Sequence, residues 1–190
     1  MDMSQTRLAI VGAMAAAALF ADMPSVRAQS RVPLQYVASD AVPALVNVPS
    51  NLIVSDTYRP VVERMLRYSR TFRRQCVRIA SEHGLTVRLT FRTKLPRPDV
   101  NAITTIQRQP TRGIVADIAV LIPGGEVELI AHEIEHVIEQ LDEIDLPLLA
   151  RVPGSGVRAL APERSMYETR RAARVGALVA AEVVALSPER

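Results

Sequence analysis

The segment Glu126 to Asp142, EVELIAHEIEHVIEQLD, constrains the fold more than any other. Its apolar residues Val127, Ile130, Ala131, Ile134, Val137, Ile138 and Leu141 recur at helical spacing. On a helix turning 100° per residue they gather in an arc of roughly 120°. That arc must lie on a partner. The partner is at hand, because IVADIAVLIP (114–123) reads as an apolar strand ended by Gly124 and Gly125. Strand, glycine turn and amphipathic helix in that order call for an α+β domain with a helix laid on a sheet.

The rest of the chain supplies the other elements. LTVRLTFR (85–92) alternates strictly, with Leu85, Val87, Leu89 and Phe91 on one face, so it is expected to be a half-buried strand. Ala102 to Gln107 reads as a short strand within loop-rich surroundings. Residues 57–80 are arginine-rich and helical in period, with Asp56 as the expected N-cap, a break near Ser69 and Thr71, and Gly84 as the stop. Residues 147–162 read as a loop, and Glu163 to Leu186 as a last helix. The stretch 31–56, with prolines at 33, 43 and 49, reads as extended or irregular.

The start of the chain has a different character. MDMSQTR precedes the apolar run LAIVGAMAAAALFA (8–21), and small residues stand at Val26 and Ala28. This is the order of a secretory signal peptide. The expectation is cleavage after Ala28, leaving one domain over 29–190 that is exported to a periplasmic or extracellular space. The run of 14 apolar residues is short of the ~20 a membrane span needs, and no later segment could span. Cys76 is the sole cysteine, so the chain forms no internal disulfide, and it is expected to be a small buried residue.

Charge is segregated. Thirteen basic residues face three acidic ones between Arg59 and Arg112, whereas Gly113 to Ala150 holds nine acidic residues and no basic ones. Scarce aromatics and the lack of any recognition motif argue against nucleic acid. A solvated arginine face that partly complements the acidic helix is the better account.

The acidic helix also carries two of the chain's three histidines, His132 and His136. Four residues apart, they sit about 40° from one another on one face and can converge on one ion. They point away from the apolar arc, so packing alone does not account for them. HEIEH fits both H-E-x-x-H, with Glu133 as general base, and H-x-x-E-H, with Glu135 as base. Glu135 shares its side with Glu128, Glu139 and Asp142, an apparent water-facing stripe. Glu133 borders the apolar arc, where burial would raise its pKa, and is preferred.

A catalytic zinc wants a third protein ligand. His83 looks like a helix-end residue, so a carboxylate is needed, and the last helix offers Glu163, Glu168 and Glu182. Read as helical, Glu168 shares an apolar stripe with Ala172, Val175 and Val179, where a lone carboxylate is costly without a partner. Glu168 is the preferred ligand over the other two; its bland alternative is an ion pair with Arg164 or Arg171.

With HEIEH on one helix and the glutamate of MYETRRA on a later one, the chain resembles the zincin superfamily, in its gluzincin pattern. The resemblance covers about Ile114 to Val179, and departs from the pattern in lacking an aspartate after the glutamate. It implies a small α+β domain with a few-stranded mixed sheet, an HExxH helix and a C-terminal helix. It also implies Zn²⁺ on His132, His136 and Glu168, Glu133 as base, and a peptide or protein substrate paired with an edge strand, with IVADIAVLIP the preferred one. Tyr167 is a candidate for oxyanion stabilisation, with core packing the commoner role. A di-iron centre would need a second E-x-x-H that the chain lacks. The rival reading is a non-catalytic metal-binding or partner-binding envelope protein.

Overall fold

The computed structural model describes residues 7–10, 47–96, 98–109, 113–121, 125–161 and 166–187. Most of the expected leader with its cleavage point at Ala28, and the residues Glu163 and Arg164, lie outside them. The fold is α+β, built on one mixed sheet. Its strands are β1 (Arg7–Ile10), β2 (Leu52–Val54), β3 (Leu85–Arg92), β4 (Ala102–Gln109) and β5 (Gly113–Leu121), in the spatial order β1-β4-β5-β3-β2. β2, β3 and β5 run parallel, while β4 is antiparallel to both β5 and β1.

β3 occupies the residues its alternation predicted, with Leu85, Val87 and Leu89 buried and Phe91 at the exposed end. Its register with β5 is set where the two strands begin. Ile114 donates its N–H to Gly84 O at 2.8 Å, and a Cβ on Gly113 would stand 2.1 Å from that same oxygen. Both glycines have positive φ, so the close approach is open to glycine alone. β5 is paired on both sides, with β3 and β4. It is therefore no edge strand, and the expectation that a substrate would pair with it is overturned.

The arginine-rich helix is two helices, α1 (Arg59–Tyr68) and α2 (Arg70–Ala80), parted at the expected Ser69. Ser69 is extended and its hydroxyl accepts the Phe72 N–H at 2.9 Å, capping α2. Asp56 is not the cap of α1: the N-cap is Tyr58, and Asp56 only approaches Arg59 at 3.8 Å in solvent. Tyr58 is instead swallowed by the core, where its hydroxyl donates to Val120 O at 3.1 Å. Cys76 is fully buried in the same core.

The helix of the two histidines, α3 (Glu126–Leu141), lies on β4 and β5, with α1 and α2 beside it. The stretch expected to be a loop holds a short helix, α4 (Leu146–Leu149), and a strand, β6 (Val157–Ala161). The last helix begins later than its period suggested. Residues Met166–Thr169 form β7, paired antiparallel with β6, and α5 spans Arg170–Leu186. The switch falls at Thr169, whose hydroxyl accepts the Ala172 N–H at 3.0 Å and so starts the helix. α5 packs along α3 on the side away from the sheet. As a result every residue from Leu129 to Glu139 is buried. Among the described residues no helix is long and apolar enough to cross a membrane.

Candidate metal centre

Because α5 and β7 cover the second face of α3, the histidines, which point away from the apolar arc, are enclosed, at 2% exposure for His132 and none for His136. The acidic stripe is corrected in the same way: Glu135 and Glu139 are buried, not solvated. Their charge is met by partners that the covering elements bring. Gln75 of α2 donates to Glu135 Oε2 at 2.8 Å, and Arg171 of α5 to Oε1 at 2.6 Å. Arg171 also reaches Asp142 at 2.9 Å, and Arg78 of the arginine-rich stretch lies 3.8 Å from the same residue. Glu135 thus belongs to an ion-pair network that clamps α2, α3 and α5 together.

His132 and His136 bring their Nε2 atoms to 3.1 Å from each other. Glu168 reaches them from β7, a strand rather than the helix expected, with Oε1 at 3.2 Å from His132 Nε2. In the β6–β7 hairpin Glu168 lies opposite Arg158. All three ligand atoms fall within 4.8 Å of one another, and the group could hold a metal ion. The donor types suit a metal, and two of the three separations, 3.1 and 3.2 Å, are close to the about 3.3 Å between ligand atoms of a tetrahedral centre with bonds near 2.05 Å. Arg171 is engaged with Glu135 and Asp142, so the ion-pair alternative for Glu168 with that arginine is not what forms. Of the other carboxylates considered, Glu182 accepts from Thr71 N at 3.0 Å, Thr71 Oγ1 at 2.9 Å and the Ser69 hydroxyl, at the start of α2. His83 is an exposed residue just past α2.

Glu133 is fully buried, and its Oε2 accepts the Thr104 hydroxyl of β4 at 2.6 Å. Burial raises its pKa, and the Glu168 charge adds to this, against the opposing pull of His132, His136 and the Thr104 hydrogen bond. For His132 burial works the other way, but the hydrogen bond to Glu168 and the charges of Glu133, Glu168 and Glu139 outweigh it and raise the pKa. Two groups that the sequence did not single out for the site complete it. Glu139 Oε2 lies 2.9 Å from His136 Nδ1, and its Oε1 accepts the Thr169 hydroxyl at 2.6 Å. Their signals were slight: Glu139 follows His136 by three residues, a side-by-side spacing on a helix, and Thr169 adjoins Glu168. Tyr167 is packed in the main core, as its commoner role anticipated.

Comparison with known proteins finds no matching family model and no match among curated proteins or solved structures.

Proposed function

We propose that this chain is a metal-dependent hydrolase of the zincin type. More narrowly, the reading is an exported zinc peptidase that uses Glu133 as general base. The observation that carries it is the convergence of His132, His136 and Glu168 beside a buried carboxyl of raised pKa.

His132 and His136 would hold the ion through Nε2 and Glu168 through a carboxylate oxygen, and zinc so held supplies Lewis acidity toward a carbonyl and a water. Thr104 keeps the Glu133 carboxyl in place through Oε2. Glu133 would accept a proton from water. Glu133 then returns the proton to the leaving amine, a step helped by a pKa lifted above the ordinary carboxyl range. Burial of Glu133 and His136 excludes bulk water and strengthens each of these interactions. Once the expected leader is removed, an extended substrate would take the place of Arg7–Ile10 along β4. In support, Arg7–Ile10 pairs with β4 antiparallel, and its Ile10 stands opposite Thr104.

The test is Glu133→Gln on the purified chain. The expected result is zinc bound as in the wild type, with hydrolysis of a quenched peptide library lost. A wild type that binds zinc yet cleaves nothing in the library refutes the hydrolase. One observation favours that rival, a metal-binding envelope protein: the Glu168 side chain is only 13% exposed and the rings are more enclosed still.

A further inference from the structure

We infer that Glu139 and Thr169 act as one positioning unit, which locks the second imidazole of the site to the strand that carries the third ligand. The inference rests on the metal-site reading of His132, His136 and Glu168.

The geometry is a chain of contacts that starts and ends on ligands. Glu168 is followed directly by Thr169, whose hydroxyl donates to Glu139 Oε1 at 2.6 Å. The other oxygen of Glu139 stands 2.9 Å from His136 Nδ1. Glu139 and Thr169 are both buried, at 1% and 2% exposure, so neither contact is exchanged for water. A carboxylate can only accept at Nδ1, so the ring proton belongs on Nδ1 and the lone pair of His136 is on Nε2. That is the nitrogen 3.1 Å from His132 Nε2. The Thr169 hydroxyl has a second duty, since it also accepts the Ala172 N–H at the start of α5. One side chain thereby fixes where β7 ends, where α5 begins and which way Glu139 points. Carboxylate partners of ligating imidazoles set tautomer and ring orientation, and their loss costs about 10–100-fold in metal affinity.

The test uses the full-length chain and two readouts that do not depend on hydrolysis. The first is the tautomer of His136 in the metal-free protein, read from its ring ¹⁵N shifts. The second is zinc affinity by competition with a chelator. Wild type is expected to show Nδ1–H. Glu139→Met, similar in volume and unable to accept, is expected to lose that preference and to bind zinc about 10–100-fold more weakly. Glu139→Gln keeps a neutral acceptor and is expected to fall between the two. Thr169→Val should weaken zinc binding about tenfold, and Thr169→Ser should restore it, which loss of packing alone would not predict. The valine–serine pair decides the matter if Glu139→Met does not fold. An Nε2–H tautomer in the wild type overturns the inference, as does unchanged zinc affinity in Glu139→Met or in Thr169→Val. A chain that binds zinc with these dependencies but cleaves no peptide refutes only the hydrolase reading. A chain that cleaves peptides with Glu139→Met unaltered refutes only the positioning unit.

Discussion

Gly176 offers the sharpest test of how the centre is assembled. It sits on the face of α5 pressed against α3, where an added Cβ would lie 2.8 Å from Glu128 O and 3.2 Å from His132 Cβ. Ordinary contact begins near 3.4 Å, so Gly176→Ala must push the two helices apart by about 3.4 − 2.8 = 0.6 Å. Two effects on stability oppose each other. Alanine gains about 1 kcal/mol of helix propensity over glycine, while overpacking costs about 1–3 kcal/mol. The net is a loss of about 0–2 kcal/mol, modest for the fold. The effect on the site is larger in proportion. Metal bonds tolerate about 0.2 Å of displacement, and α5 begins at Thr169, next to Glu168. A shift of α5 against His132 therefore moves the third ligand beyond that tolerance. Zinc affinity is expected to fall at least about tenfold, or ~1.4 kcal/mol, with melting of the metal-free protein changed little. Calorimetric zinc titration beside metal-free thermal melts measures both. If Gly176→Ala binds zinc like the wild type, or gains the whole propensity increment, the α3–α5 contact does not set the site.

Arg171→Met leaves Glu135 buried with Gln75 alone. Because the arginine is 37% exposed, the expected loss is about 2 kcal/mol by urea denaturation rather than the full cost of a broken buried pair. Changing both partners, Arg171→Met with Glu135→Met, should recover much of it. Burial pushes the Cys76 thiol up to about 12 from an ordinary 9.0. The native chain should therefore resist thiol reagents that label it at once in urea. A pKa raised by folding gives stability that is complete below pH 9 and lost on the way to pH 12, at about 1.4 kcal/mol per pH unit. Zinc at 100 times its dissociation constant should stabilise the chain by about 2.7 kcal/mol, seen as a rise in melting temperature that His132→Ala abolishes.

Short-range periodicity carried much of this into the sequence. β3 and α3 were legible nearly to the residue, since a two-residue and a 3.6-residue repeat each leave one answer. The imidazole pair was legible for the same reason. What the period could not convey was what covers the other side. α3 looked half-exposed because its second face is acidic, and its burial depends on Gln75, Arg171 and Thr169, which arrive from distant segments. Glu168 was reached through an apolar helical stripe that does not exist, since Met166–Thr169 is a strand. Its selection rested on the cost of a lone buried acid, and that physics holds on either element. β5 was misjudged as an edge because strand order is a property of pairing, not of any one strand.

Strand β1 has an implication for the life of the molecule. Arg7–Ile10 supplies the outermost row of backbone bonds along β4, and under the proposed export reading these residues would be discarded. The same four residues cannot be both a removed address and a finished edge. Such trimming would move the edge of the sheet from β1 to β4 and open the amides along β4 to any extended chain. Precursor and product would then differ in what they can receive, not merely in length.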